Sequence, residues 1–212
     1  VICEKPLSLN PENIKLIKKI EKKSKKRCYP ILQLRLHPKI KLLKKQANKL
    51  NNSIELIYIT PRGQWYHQSW KGKDEKSGGI ESNIGIHFFD MLIWIYGDCL
   101  SFKILYRDEK KSYGIMKLKK ATVKWYLSID KKDLNKISKT KKSFRKLIAN
   151  GENIDFTEGF DKLHTESYNQ IFKNKGFKVE NAIKAVDLVY KIRNSNQKGS
   201  IKNINNYIKK FI

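Results

Sequence analysis

The chain has 212 residues, 40% of them hydrophobic, which suits one substantial core plus a fragment of a second domain and excludes a disordered chain. No stretch nears the roughly 20 apolar residues that cross a bilayer, no secretory leader opens the chain, and Cys3, Cys28 and Cys99 fit neither a disulfide framework nor a zinc site. The net charge of +26 is almost all lysine, spread through every segment beside many isoleucines and asparagines, as AT-rich codons favour. No arginine cluster is interleaved with aromatics, so a soluble cytoplasmic protein that binds neither nucleic acid nor membrane is expected.

Val1 to Cys3 reads as a buried strand running into Glu4, Lys5 and Pro6, an opening inside an element that points to a chain lacking its N-terminal part. Asn10 caps a helix with Pro11 at its first position, and Ile14, Ile17 and Ile20 recur on one face up to about Ser24. Tyr29 to Arg35 reads as a strand and Pro38 to Leu50 as a helix, which makes 1–52 the C-terminal remnant of a Rossmann-like doubly wound domain.

Ile54 to Thr60 is the next predicted strand, followed by a long polar and aromatic loop, Pro61 to Gly79, of a length uncommon unless it has a function. Asn83 to Tyr96 reads as an apolar helix closed by Gly97. Strands at Phe102 to Tyr106, Tyr113 to Leu118, Thr122 to Ile129, Phe144 to Ile148 and, after a turn at Asn150 and Gly151, Ile154 to Phe156 predict an open, largely antiparallel sheet. Two helices, Phe160 to Phe172 and Glu180 to Asn194, pack on it, so the class is α/β plus α+β, with 53–195 one domain and 196–212 a frayed tail.

Two constellations could carry chemistry. Lys5 follows a parallel strand at the edge where open α/β sheets bind ligands, although lysine and proline also simply end strands. Behind the Gly78–Gly79 pair, Asn83, His87 and Asp90 recur on one face of a helix otherwise rich in Ile86, Phe88, Phe89, Leu92 and Ile93. Such a polar stripe is costly unless satisfied or used.

Together these motifs resemble the glucose-fructose oxidoreductase and inositol dehydrogenase family, whose members carry a Glu-Lys-Pro strand end and a Gly-Gly motif leading to an aspartate, a glycine, a histidine and a final aspartate. Here Asn83 replaces the first aspartate, followed by Gly85, His87 and Asp90. The runs Tyr58 to Tyr66, Ser69 to Gly72 and Lys76 to Gly79 are similar to the branch acting on UDP-N-acetylglucosaminuronate, as are Gln33 to Pro38, Glu158 to Phe160, Leu163 to Glu166 and Tyr168. Those enzymes are 3-dehydrogenases of bacterial surface-polysaccharide pathways that also carry the asparagine.

The resemblance implies hydride transfer from a sugar carbon to NAD or NADP, with a nucleotide-sugar as substrate; the alternatives are a dehydrogenase of another sugar or inositol, or a truncated, non-catalytic sugar-binding or dimerisation module. His87, whose ordinary pKa lies near neutrality, is the expected base, Lys5 polarises the hydroxyl and holds the cofactor ribose, and the two could exchange roles. Asn83 orients a hydroxyl without adding charge next to a uronate. Arg35, Arg62 and Lys76 are candidates for the uronate or pyrophosphate. Trp65, Tyr66 and Trp70 stack on sugar or base, or equally pack the loop or a subunit interface. Asp90, His164 and Tyr168 complete the substrate set, and Glu4, Lys5, Gln33 and Trp70 the cofactor set, with no metal. No Gly-x-Gly-x-x-Gly turn occurs, so poor cofactor binding by this chain alone is expected. The sheet of such relatives also pairs subunits, which implies a homodimer or homotetramer.

Overall fold

The computed structural model describes residues 1–47, 50–155 and 160–195; the predicted tail, Phe156, Glu158 and Gly159 lie outside them. Strand β1 (Ile2–Cys3), helix α1 (Pro11–Ser24) and strand β2 (Tyr29–Pro30) form a β-α-β unit with parallel pairing, Ile2 opposite Tyr29 and Cys3 opposite Pro30. Asn10 caps α1 by accepting from the Glu12 amide at 3.0 Å, and Pro11 occupies the first position, where no amide is needed.

The predicted strand Tyr29 to Arg35 stops at Pro30. After it, Gln33–Leu36 form a 3-10 turn that buries Leu34 and Arg35. A short apolar run reads the same whether it is a buried strand or a buried turn. Helix α2 (Pro38–Gln46) is shorter than predicted; its first turn is capped by His37 Nδ1, which accepts from the Lys39 amide at 3.2 Å.

Strand β3 (Asn52–Ile59) is central to a six-stranded sheet. The long segment after it is built of short pieces: α3 (Gln64–Gln68), a 3-10 turn (Trp70–Gly72) and α4 (Asp74–Ser77). The predicted helix 83–96 divides into a π-helical turn (Glu81–Gly85) and α5 (Ile86–Tyr96). Strands β4 (Cys99–Arg107), β5 (Lys111–Leu118) and β6 (Ala121–Ser128) follow as a meander.

Helix α6 (Lys131–Ile137), absent from the sequence reading, is capped by Asp130, whose carboxylate accepts from the Lys132 amide at 2.9 Å. Asp133 fastens it to the sheet by accepting from Tyr126 Oη at 2.6 Å, Ser128 Oγ at 2.7 Å and Lys111 Nζ at 2.9 Å.

Strand β7 (Phe144–Ala149) turns through Asn150 and Gly151, both at positive φ, into β8 (Glu152–Asn153), which precedes the predicted Ile154 to Phe156. Helices α7 (Leu163–Phe172) and α8 (Val179–Arg193) end the described chain. The sheet order is β4-β5-β6-β3-β7-β8, antiparallel throughout except where β3 and β6 run parallel. One core runs from Ile14 and Leu34 through Phe89 and Met91 of α5 to Trp125 of the sheet and Val186 of α8. Within it the Phe89 and Trp125 rings meet edge to face at 5.6 Å, a favourable arrangement of aromatic quadrupoles.

Candidate functional site

Lys5 leaves the end of β1 and its ammonium donates to the backbone carbonyl of Asn83, joining the β-α-β unit to the π-helical turn. Two glycines give that turn its entry. Gly78 and Gly79 both have positive φ (76° and 73°), and a Cβ on Gly78 would lie 2.3 Å from Ser82 Oγ. The turn is anchored from behind by Glu81, 1% exposed, which accepts from Ser112 Oγ at 2.7 Å and faces Arg107 Nε at 3.4 Å. Single π-turns of this kind recur at functional sites.

In front of the turn opens a cavity of about 490 Å³ lined by Lys5, Arg62, Trp65, Tyr66, Trp70, Lys71, Lys76 and Asn83, with no carboxylate among its lining residues. Asn83 Nδ2 donates to Tyr66 Oη at 3.0 Å and to the Lys71 carbonyl at 3.3 Å, so both amide protons are engaged and the amide oxygen can serve only as an acceptor. Trp65 and Trp70 are more than half exposed, and the Lys71 ammonium lies 5.6 and 5.8 Å from their ring centres.

Lys5 also lines a second, largely apolar cavity of about 20 Å³, together with His87 and Asp90. So Lys5 and His87 face one space, and Lys5 connects it with the larger one. Burial, then repulsion by Arg62, lowers the Lys5 pKa to about 8; Glu4 pulls it back up in part, and Lys71 adds a smaller repulsion. Burial, then the charges of Lys5, His164 and Arg145, pushes His87 well below its ordinary value, so the imidazole is neutral at neutral pH and can accept a proton. Burial raises the Tyr66 hydroxyl.

Three predicted ligand contacts sit elsewhere. Arg35 grips Asp90 with both ends, Nε to Oδ2 at 2.8 Å and Nη2 to Oδ1 at 2.6 Å, and gives a further bond to the Asn181 carbonyl at 2.9 Å. The rings of Phe177 and Trp94 flank its guanidinium at 5.4 and 5.8 Å. The pair is buried, Arg35 lines neither cavity, and Asp90, though it borders the small one, has both oxygens engaged. Gln33 is buried and lines neither cavity; its Oε1 finds no hydrogen-bond partner among the described residues. The stripe expected of Asn83, His87 and Asp90 is broken because Asn83 lies on the π-turn, which turns it toward Tyr66, while His87 and Asp90 keep a common face of α5.

Glu4 and His164 meet each other, Oε1 to Nδ1 at 3.5 Å, both about half exposed, and Tyr168 stands exposed one turn further along α7; none of the three lines either cavity. The sequence reading missed two cations. Lys71 could have been found from its place inside the Ser69 to Gly72 run. Arg145 comes from β7, far along the chain, with no local signal.

Residues 52–140 match the family described as the oxidoreductase family, C-terminal alpha/beta domain. Among solved structures, the chain is similar to the WlbA (WbpB) dehydrogenase from Thermus thermophilus in complex with NAD and UDP-GlcNAcA, at 36% identity and a TM-score of 0.87, over 95% of this chain and 66% of that one. The same enzyme in complex with NAD and alpha-ketoglutarate gives 37% identity and a TM-score of 0.86, over 95% of this chain and 67% of that one. The WlbA dehydrogenase from Bordetella pertussis, at 17% identity and a TM-score of 0.70 over 90% and 67%, shares the fold. The chain thus spans about two thirds of the length of the structures it resembles. Sequence and fold agree over nearly all of the chain, which belongs to the glucose-fructose oxidoreductase/inositol dehydrogenase (GFO/IDH/MocA) family of oxidoreductases.

Proposed function

We propose that this chain is the substrate-binding and catalytic part of an NAD-dependent dehydrogenase that oxidises the 3-hydroxyl of UDP-N-acetylglucosaminuronate for bacterial surface-polysaccharide synthesis. Residues 1–52 would close a cofactor domain, and 53–195 would bind the sugar and pair subunits into a homodimer or homotetramer. The observation that carries this reading is the cavity of about 490 Å³ where Lys5, Arg62, Lys71 and Lys76 converge without a carboxylate beside three aromatic rings. Four cations crowded together repel one another, and a diphosphate relieves that repulsion. The rings offer faces for a sugar or a base. The similar Thermus enzyme, crystallised with NAD and UDP-GlcNAcA, supports the same ligands here.

Glu4 and Lys5 stand at the end of β1, and the buried Gln33 Oε1 is an acceptor without a donor among the described residues. That arrangement fits the ribose and amide groups of a nicotinamide nucleotide, and these residues, with Trp70, would hold it. NAD, when bound, supplies the hydride acceptor. His87, neutral at neutral pH, takes the hydroxyl proton, while the Lys5 ammonium stabilises the developing alkoxide in a space shared by both side chains. Titration calorimetry tests the reading. The chain should bind UDP-N-acetylglucosaminuronate, and Arg62→Met should weaken that binding about tenfold, the worth of one charge-assisted contact. A chain with no affinity for the nucleotide-sugar, or with affinity unmoved by Arg62→Met, would refute it.

A further inference from the structure

Arg145 lies on β7 directly opposite Tyr58 of β3. Its guanidinium sits between two rings, 4.3 Å from the centre of Phe160 and 5.3 Å from that of Tyr58. Stacking fixes the plane of the group and leaves its edge, where the N–H donors point, open to a planar acceptor. Among the described residues that edge has no partner. Arg145 makes no ion pair with another described residue, and its buried Nε has no hydrogen bond among them. Arg35 and Arg107 differ: each meets a carboxylate and donates to backbone carbonyls. A desolvated donor left unfilled is costly, so a guanidinium built this way calls for an anion from outside.

Its position says which anion. Tyr58 also packs on Phe88, ring centres 4.9 Å apart, and Phe88 is the neighbour of His87 in α5. The charge of Arg145 acts on His87, as do those of Lys5 and His164, whereas Lys5 is influenced by Arg62 and Lys71. The cations thus fall into two groups, one in the large cavity beside Lys5 and the other, Arg145, approaching His87 from the sheet. Positions 1, 3 and 5 alternate around a pyranose ring, so the diphosphate on C1, the reacting hydroxyl on C3 and the carboxylate on C5 of a UDP-linked uronate leave it in three directions. The large cavity, the Lys5–His87 space and Arg145 offer one receptor for each.

We propose that Arg145 is the specificity-determining residue that binds the ring carboxylate of a uronate, separately from the cations that hold the diphosphate. This inference rests on the nucleotide-sugar reading and assigns it a second anion site. The test is titration calorimetry of the wild-type chain, Arg145→Gln and Arg145→Lys with UDP-N-acetylglucosaminuronate and with neutral UDP-N-acetylglucosamine. Arg145→Gln should weaken the uronate by about tenfold or more and the neutral sugar by less than about twofold, as loss of a bidentate charge-assisted pair dictates. Arg145→Lys, which keeps the charge but not the fork, should fall between. An equal loss for both sugars, or unchanged uronate binding, overturns the inference. If circular dichroism shows Arg145→Gln unfolded, the Lys variant decides on the same criterion. A wild-type chain that binds neither sugar overturns the nucleotide-sugar reading itself, an outcome visible before any variant is made.

Discussion

Two groups of charge are handled in opposite ways. In the core, Arg35 and Asp90, 5% and 3% exposed, close on each other through two short bonds. Lys5, Arg62, Lys71 and Lys76 instead face a cavity without a carboxylate among its lining residues. The first group is complete without a ligand and the second is not. Residue type alone does not separate scaffold from site; the partner does. The two largest predicted effects come from removing a partner from the closed pair and adding one to the cavity.

Asp90→Ala should destabilise the fold by about 3–5 kcal/mol in urea unfolding, because it strands a buried guanidinium. Arg35→Met combined with Asp90→Leu should recover most of that loss, since neither charge then remains buried. A double variant as unstable as the single one would show that Arg35 and Asp90 are not a closed pair.

Asn83→Asp places an acid in the cavity. Tyr66 Oη can turn and donate to the carboxylate, but the Lys71 carbonyl loses its donor, so a loss of about 1–3 kcal/mol in stability is expected. It also puts negative charge beside the expected uronate. Calorimetry should therefore show a greater loss of affinity for UDP-N-acetylglucosaminuronate than for UDP-N-acetylglucosamine, and equal losses would break the charge argument.

Much of this was legible in the sequence. Helix α1 falls at its predicted limits because Asn10 and Pro11 are local start signals, and the turn at Asn150 and Gly151 likewise carries its own chemistry. Arg62, Trp65, Tyr66, Trp70, Lys76, Asn83 and Lys5 were all singled out, and one cavity gathers them. What could not be read is pairing across the chain. Arg35 precedes Asp90 by 55 residues, and only the fold shows that they answer each other. Arg145 has the same difficulty, since its register opposite Tyr58 is a tertiary fact. Helix α6 is held by Asp133 against Tyr126 and Ser128 more than by any apolar repeat of its own.

The crowding of cations in the large cavity also predicts a pH effect. Lys5 loses its proton at about 8, where an ordinary lysine keeps it past 10. Below 8 the cavity holds all of its cations; as pH rises from 7 to 9, Lys5 becomes neutral and an anionic ligand loses one attractive charge. Affinity for the nucleotide-sugar should fall several-fold across that window in calorimetry, and Lys5→Met should bind weakly with no such fall. An equally steep fall in Lys5→Met would assign the titration to another group.

The smallest effect is expected where charges are paired but exposed. On α8, Lys191 and Asp187 meet at 2.6 Å one turn apart, a shorter contact than several in the buried network, with 60% and 41% of their side chains open to water. Water screens both ions whether or not they touch, and holding two long side chains together costs entropy that cancels most of the attraction. Lys191→Ala should change the unfolding free energy measured in urea by no more than about 0.5 kcal/mol, the usual worth of a helical pair of this spacing. Set against Asp90→Ala, that result would show that distance between partners says little about stability, and that the loss scales with how far the abandoned charge is from solvent.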